Sequence, residues 1–209
     1  MSMPNEVVNV FNTPEPGFTR PLPAARATPF IEVDEFRLNR NIAKMQAIAG
    51  KAGVRLRPHI KTHKSIEIAR RQIEAGAVGL TASKASEAEV FLRAGFKDVL
   101  MAYPVIHADT VKPLLQLAKD AEARIAFIAG DTAGVKALNE AAAAAEMRLP
   151  VFMKVDVGLG RVGVKPQSAM ALQVAQEIVV ANGLKLAGLL SHAGHSYGAS
   201  SLSAIEEIA

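Results

Sequence analysis

The 209 residues are 50% hydrophobic and 21% charged, the balance of a soluble globular protein with one sizeable domain. The formal net charge of +4 is spread along the sequence, aromatic residues make up 5%, and no aromatic platform accompanies a basic run, which argues against nucleic-acid binding. Cysteine is absent, which excludes disulfides and thiolate metal sites. No run approaches the roughly 18 apolar residues that cross a bilayer, so a soluble, cytoplasmic protein with no membrane partner is expected.

Residues 1–27 read as a Pro-rich arm. Six of the eleven prolines (Pro4, Pro14, Pro16, Pro21, Pro23 and Pro29) fall within the first 29 positions, without an apolar core of signal-peptide length. From Thr28 the pattern turns periodic, and residues 28–209 form the expected domain. Phe30–Asp34 predicts a short strand, and Phe36, Leu38, Ile42, Met45 and Ala49 recur at helical spacing before Gly50 and Gly53. A basic strand over 54–61 follows, then a helix from Ser65 to Glu74. Further strands are predicted at 77–82, 98–102, 123–129, 151–155 and 184–190. Helices are predicted near 84–93, 108–119, 132–146 and 166–181, and the last residues read as one more. Strand-helix alternation with apolar strands calls for parallel strands covered by helices. Periodicity leaves two architectures open, a doubly wound open sheet and a closed barrel.

Charge concentrates in Arg57-Pro58-His59-Ile60-Lys61-Thr62-His63-Lys64. On a strand, Arg55, Arg57, His59 and Lys61 share one face, while Val54, Leu56, Pro58 and Ile60 share the other. Such a face suits an anionic ligand. It equally suits a solvated edge strand, which Pro58 favours by lacking a backbone donor.

Two more segments follow predicted strands. Val155 to Gly163 contains G-x-G-x-x-G, the spacing of a dinucleotide loop. That reading fails on context, because the glycines follow the fifth strand rather than opening a first βαβ unit, Lys165-Pro166 intervenes before the helix, and Ser191-His192 ends the next strand where an acidic ribose ligand is needed. Ser191-His192-Ala193-Gly194-His195-Ser196-Tyr197-Gly198 offers two histidines three apart, weak evidence for a metal on its own. Histidine also suits proton transfer near neutral pH.

The run RPHIKTHK, with Glu67-Ile68-Ala69 and Glu74-Ala75-Gly76-Ala77 after it, resembles the lysine region of the D-threonine aldolase and D-serine dehydratase group. These are pyridoxal-phosphate enzymes sharing the alanine racemase fold. Lys154 to Gly163 resembles the K-V-D-x-G-x-G-R-x-G loop of that fold, and HAGHSY resembles the D-serine dehydratase branch. The resemblance implies an α/β fold built as a (β/α)8 TIM-type barrel, incomplete here at about six βα units. It also implies that the sequence is a truncated portion lacking the last strands and a C-terminal β domain.

By carry-over, Lys61 is the Schiff-base lysine, Arg161 approaches the cofactor's phenolic oxygen and His192 lies against its ring; His59 and Arg57, of the same parity as Lys61, lie deeper along its face. His195 and Tyr197 become candidates for proton transfer at a substrate hydroxyl. Arg57, His63 and Lys64 are cations placed to favour a neutral Lys61 amine. The implied activity is a pyridoxal-phosphate-dependent lyase on small D-3-hydroxy amino acids, D-serine or D-threonine among them. Zinc or manganese and a homodimer are expected only of the full-length enzyme, with no metal ligand assignable here. The rivals are a non-catalytic pyridoxal-phosphate carrier, an amino-acid racemase and an NAD(P)-binding oxidoreductase.

Overall fold

A computed structural model describes residues 30–209; the Pro-rich arm, residues 1–27, lies outside the described residues. Its regular elements are α1 (Glu35–Lys51), α2 (Ile66–Glu74), β1 (Leu80–Ala82), α3 (Ala85–Arg93), β2 (Asp98–Pro104), α4 (Lys112–Asp120), β3 (Arg124–Ala129), α5 (Thr132–Ala145), β4 (Leu149–Lys154), α6 (Ala169–Val180), β5 (Leu184–Leu190) and α7 (Leu202–Ile208). Short 3-10 turns occupy Ile60–Thr62, Ala108–Thr110 and Gly194–Gly198. No described helix is long and apolar enough to cross a membrane.

Helix starts follow local chemistry. Asp34, Ser65, Asp131 and Ser168 each accept a hydrogen bond from a first-turn backbone N–H, satisfying donors that a helix leaves free. Pro113 sits in the first turn of α4, where its missing N–H costs nothing.

The five strands form one all-parallel sheet in the order β1-β2-β3-β4-β5. Every crossover therefore steps the same way along the sheet. A doubly wound sheet reverses its strand order at a switch point; this one has no reversal and is the wall of a TIM-type barrel. The two faces confirm the layering. Val99, Met101, Ile125, Phe127, Val151 and Leu149 join helix residues such as Phe91, Leu115, Leu138 and Ile178 in the large core. Leu100, Ala126 and Ile128, of opposite parity, pack with Phe152 and Leu190 on the inner face. Burying a side chain such as Phe127 contributes roughly 1.5–3 kcal/mol.

Two expected strands differ. Phe30–Asp34 forms none: Ile31 and Val33 are exposed, and among the described residues no strand pairs with this segment. The basic segment 54–61 is extended only to His59 and runs beside β1 without becoming a full strand. Leu56 and Pro58 accept from the N–H groups of Val78 and Thr81 at 3.0 and 2.8 Å, and His59 makes a lone parallel bridge with Thr81. Pro58 has no N–H to return, so the pairing is carried by carbonyls. The six sequence-derived strands after the first thus become five strands and this segment.

Candidate active site

Chemistry-bearing residues gather where the strands end, the rim at which barrel sites form. The Lys61 turn is anchored by Ile60, which is fully buried on the helix side. His63 and Lys64 both donate backbone N–H groups to the Ile60 carbonyl, at 3.3 and 2.8 Å, and Lys64 takes a left-handed φ of 49° to close the turn. Thr62 Oγ1 donates to the His59 carbonyl at 3.3 Å, and His59 Nδ1 faces the Lys61 N–H at 3.4 Å. Lys61 stands at the mouth and is exposed, not buried as the resemblance leads one to expect. The wall does not rise above it, because the 54–59 segment ends in this turn.

The glycine-rich loop begins at Lys154, the last residue of β4. Val155 N–H donates to Leu190, Asp156 N–H to Val164, and Val164 N–H back to Lys154, all at 2.9 Å. These bonds staple the loop to the ends of β4 and β5. Gly163 is required there: its φ is +115°, and a Cβ would come within 2.8 Å of the Lys154 carbonyl. Asp156 Oδ1 accepts from Gly158 and Gly160 N–H at 3.0 Å each, and those bonds hold its carboxyl below the usual carboxylate range. Asp156 therefore shapes the loop. The loop opens no helix, since α6 begins only at Ala169, which agrees with setting the dinucleotide reading aside.

His192 and His195 follow β5. The His192 ring meets the Tyr197 ring edge-on at 5.8 Å between centroids, though Tyr197 is itself 82% exposed. A Cβ on Gly158 would lie 3.1 Å from the His195 ring, so that glycine admits the imidazole; His195 Nδ1 is buried without a hydrogen-bond partner.

Electrostatics bind these pieces together. Burial first of all, then Arg161, Lys154 and Lys61, push the His192 pKa down. Burial and then Lys61 lower that of His59, against Glu87 and a hydrogen bond to the Thr81 backbone, with a small further lowering from His192. Burial and Arg161 lower the Lys154 amine, with Asp156 opposing. Lys61, Lys154, Arg161, His59 and His192 thus share one electropositive mouth in which both imidazoles are biased toward the neutral form.

Arg57 is not among them. It shares the inner face with His59 but pairs through both guanidinium nitrogens with Asp98 at the opposite end of the sheet, so it does not adjoin the Lys61 amine. Lys64 pairs with Glu87 at 3.6 Å, and His63 turns Nδ1 to the Ser65 N–H at 3.0 Å. Tyr103 is exposed on β2. Sequence reasoning passed over two residues. Lys154 is only 4% exposed, and its parity with Phe152 was the available signal. Glu87, four residues beyond the end-of-strand Ser83, carried no signal that separated it from an ordinary first-turn acid. Among the described residues no three His, Cys, Asp or Glu side chains gather as a metal site.

The family model described as the alanine racemase N-terminal domain matches residues 33–207. A D-threonine aldolase of Arthrobacter sp. is 34% identical over 192 residues, covering 92% of this chain and 50% of its own. A D-serine dehydratase of Dictyostelium discoideum is 32% identical over 184 residues, covering 81% and 45%. Among solved structures, D-threo-3-hydroxyaspartate dehydratase from Delftia sp. HT23 superposes with a TM-score of 0.77 at 33% identity over 84% of this chain and 46% of that one. D-threonine aldolase from Filomicrobium marinum does so at 0.73 and 37%, over 78% and 43%. The chain spans about half the length of the curated relatives it matches. Its strand order, its glycine-rich loop after β4 and these matches together place it in the alanine racemase N-terminal domain family.

Proposed function

We propose that this protein is a pyridoxal-phosphate-dependent lyase acting on D-3-hydroxy amino acids, of the D-serine dehydratase or D-threonine aldolase type. The observation that carries the reading is the placement of Lys61, Lys154, Arg161 and His192 at one rim. Lys61 lies in the turn after the 54–59 segment, Lys154 at the end of β4, Arg161 in the loop stapled to it and His192 just past β5. Burial and then these cations lower the His192 pKa. A phosphorylated aldehyde needs an accessible lysine amine and a cationic surround, and this donor set fits both requirements. The relatives named as D-threonine aldolase, D-threo-3-hydroxyaspartate dehydratase and D-serine dehydratase favour the same substrate class.

When bound, pyridoxal phosphate supplies an electron sink for the charge left on the substrate α-carbon. Lys61, exposed on a turn fixed by Ile60, would hold it covalently through its amine. Arg161 would provide a permanent cation for its phenolic oxygen, and His192 would provide a flat surface for its ring. His59 stands beneath Lys61 on the inner face. His195 and Tyr197 are assigned to the proton at the substrate hydroxyl. The cations also attract the substrate carboxylate. A divalent zinc or manganese ion and a homodimeric state belong to this proposal for the whole protein; a metal-free form of the related dehydratase is among the matching structures.

The test is to incubate the protein with pyridoxal phosphate, reduce with borohydride and map the tagged peptide. The expected tag lies on Lys61, and Lys61→Ala abolishes both the tag and the visible absorbance band. Tagging scattered over other lysines, with the band retained in Lys61→Ala, overturns the reading. Release of pyruvate and ammonia from D-serine, or of acetaldehyde from D-threonine, separates a lyase from a cofactor carrier, and interconversion of enantiomers identifies a racemase.

A further inference from the structure

Glu87 enters this largely cationic mouth from α3. Its side chain is only 10% exposed, and its two carboxylate oxygens are used by different partners. Oε2 accepts from both the backbone N–H and the hydroxyl of Ser83, each at 2.9 Å, which fixes the carboxylate to the end of β1. Oε1 faces Lys64 Nζ at 3.6 Å. Lys64 is the left-handed residue that closes the turn bearing Lys61. One largely covered carboxylate thereby joins the end of β1, the first turn of α3 and the Lys61 turn.

We propose that Glu87 is a positioning residue that holds the Lys61 turn in place through Lys64 and supplies the counter-charge for the His59 side of the mouth. The inference rests on the reading of Lys61 as the cofactor-bearing lysine.

Three facts support more than a helix cap. A cap needs the Ser83 contacts alone, yet the second oxygen reaches across to a different element. Lys64 occupies a conformation that non-glycine residues seldom adopt, so an external tether has something to restrain. Glu87 also acts on the His59 imidazole, opposing the lowering caused by burial and by Lys61. Among the described residues, the other charged or titratable groups acting on His59 are Lys61 from its own turn and His192 from the loop after β5; Glu87 is the acid of the three.

The experiment uses the 209-residue protein and two variants. Glu87→Gln keeps an oxygen that accepts from Ser83 but removes the charge. Lys64→Met leaves the Ser83 contacts untouched and cuts the tether. Two signals are read: the titration of His59 by NMR, which needs no cofactor, and the rate of borohydride-trapped pyridoxyl tagging at Lys61. The expected result is a His59 titration moved to still lower pH in Glu87→Gln and severalfold slower tagging in both variants. If Glu87→Gln stays folded and leaves both signals at the parent values, Glu87 is a helix cap only and the inference falls. If Glu87→Gln does not fold, Lys64→Met decides: slowed tagging upholds the tether and parent-like tagging removes it. Should the parent itself take no tag at Lys61, the lyase reading fails, and the His59 titration still judges whether Glu87 supplies the counter-charge.

Discussion

Arg57 and Asp98, forty-one residues apart, meet in a two-point guanidinium–carboxylate pair at 2.8 and 3.1 Å. Arg124 closes on the same carboxylate at 3.0 Å, so one acid ties together the 54–59 segment, β2 and β3 at the rim opposite the site. The Arg57 and Asp98 side chains are 22% and 26% exposed, between a surface pair and a buried one. Asp98→Ala leaves two cations facing each other and is expected to cost about 1–3 kcal/mol. A fall in the urea midpoint at unchanged slope measures it; a midpoint within error of the parent contradicts the account.

Gly163→Ala forces a side chain onto a left-handed backbone and against the Lys154 carbonyl, 2.8 Å away. The expected destabilisation is about 1–3 kcal/mol. Because the loop carries Arg161, pyridoxal-phosphate tagging at Lys61 is expected to drop as well. Gly198, which has open space around it, serves as the control: Gly198→Ala leaves both measurements near the parent.

His59, His63 and His192 all titrate below the ordinary histidine value in the folded protein, burial being the first cause in each. The unfolded chain therefore binds more protons than the native one as pH drops through and below about 6.5. Their contribution to stability is fully present above that value and is lost as pH falls toward the depressed folded-state values. Thermal midpoints are expected to decline from pH 7.5 to pH 5.5, and replacing His63 by Gln to flatten that decline. A midpoint that rises on acidification has the opposite sign and rejects the assignment.

Lys154 and Arg161 both lower the His192 pKa. Lys154→Met removes one of the two cations and is expected to move the His192 titration upward, as read by NMR. Affinity for inorganic phosphate, a probe of the mouth's charge, is expected to fall in parallel. An unmoved His192 titration shows that the amine is too far away or too well screened to matter.

Much of the architecture was legible in the sequence because burial on the helix side imposes regular apolar runs. The strand at 184–190 agrees end for end with β5, and the helix expected over 132–146 is α5 to within one residue. Phe30–Asp34 has a convincing strand pattern, but local alternation cannot supply a neighbour to pair with. The basic segment was recognisable, whereas the fate of its residues was not. Arg57 and His59 share parity, yet one is committed to Asp98 and the other stands under Lys61, a split decided by the register of β1 and β2. Lys61, Arg161 and His192 stood out as types in loops after strands. Lys154 and Glu87 did not, since their importance comes from burial beside charges distant in sequence.

The unbroken strand order gives the molecule two ends with different jobs. Interlocking charges at the Arg57–Asp98–Arg124 rim decide how well the wall endures, while the turns at the far rim decide what is bound there. Successive βα units can therefore exchange rim residues one at a time, altering what that rim presents, with the opposite rim unchanged.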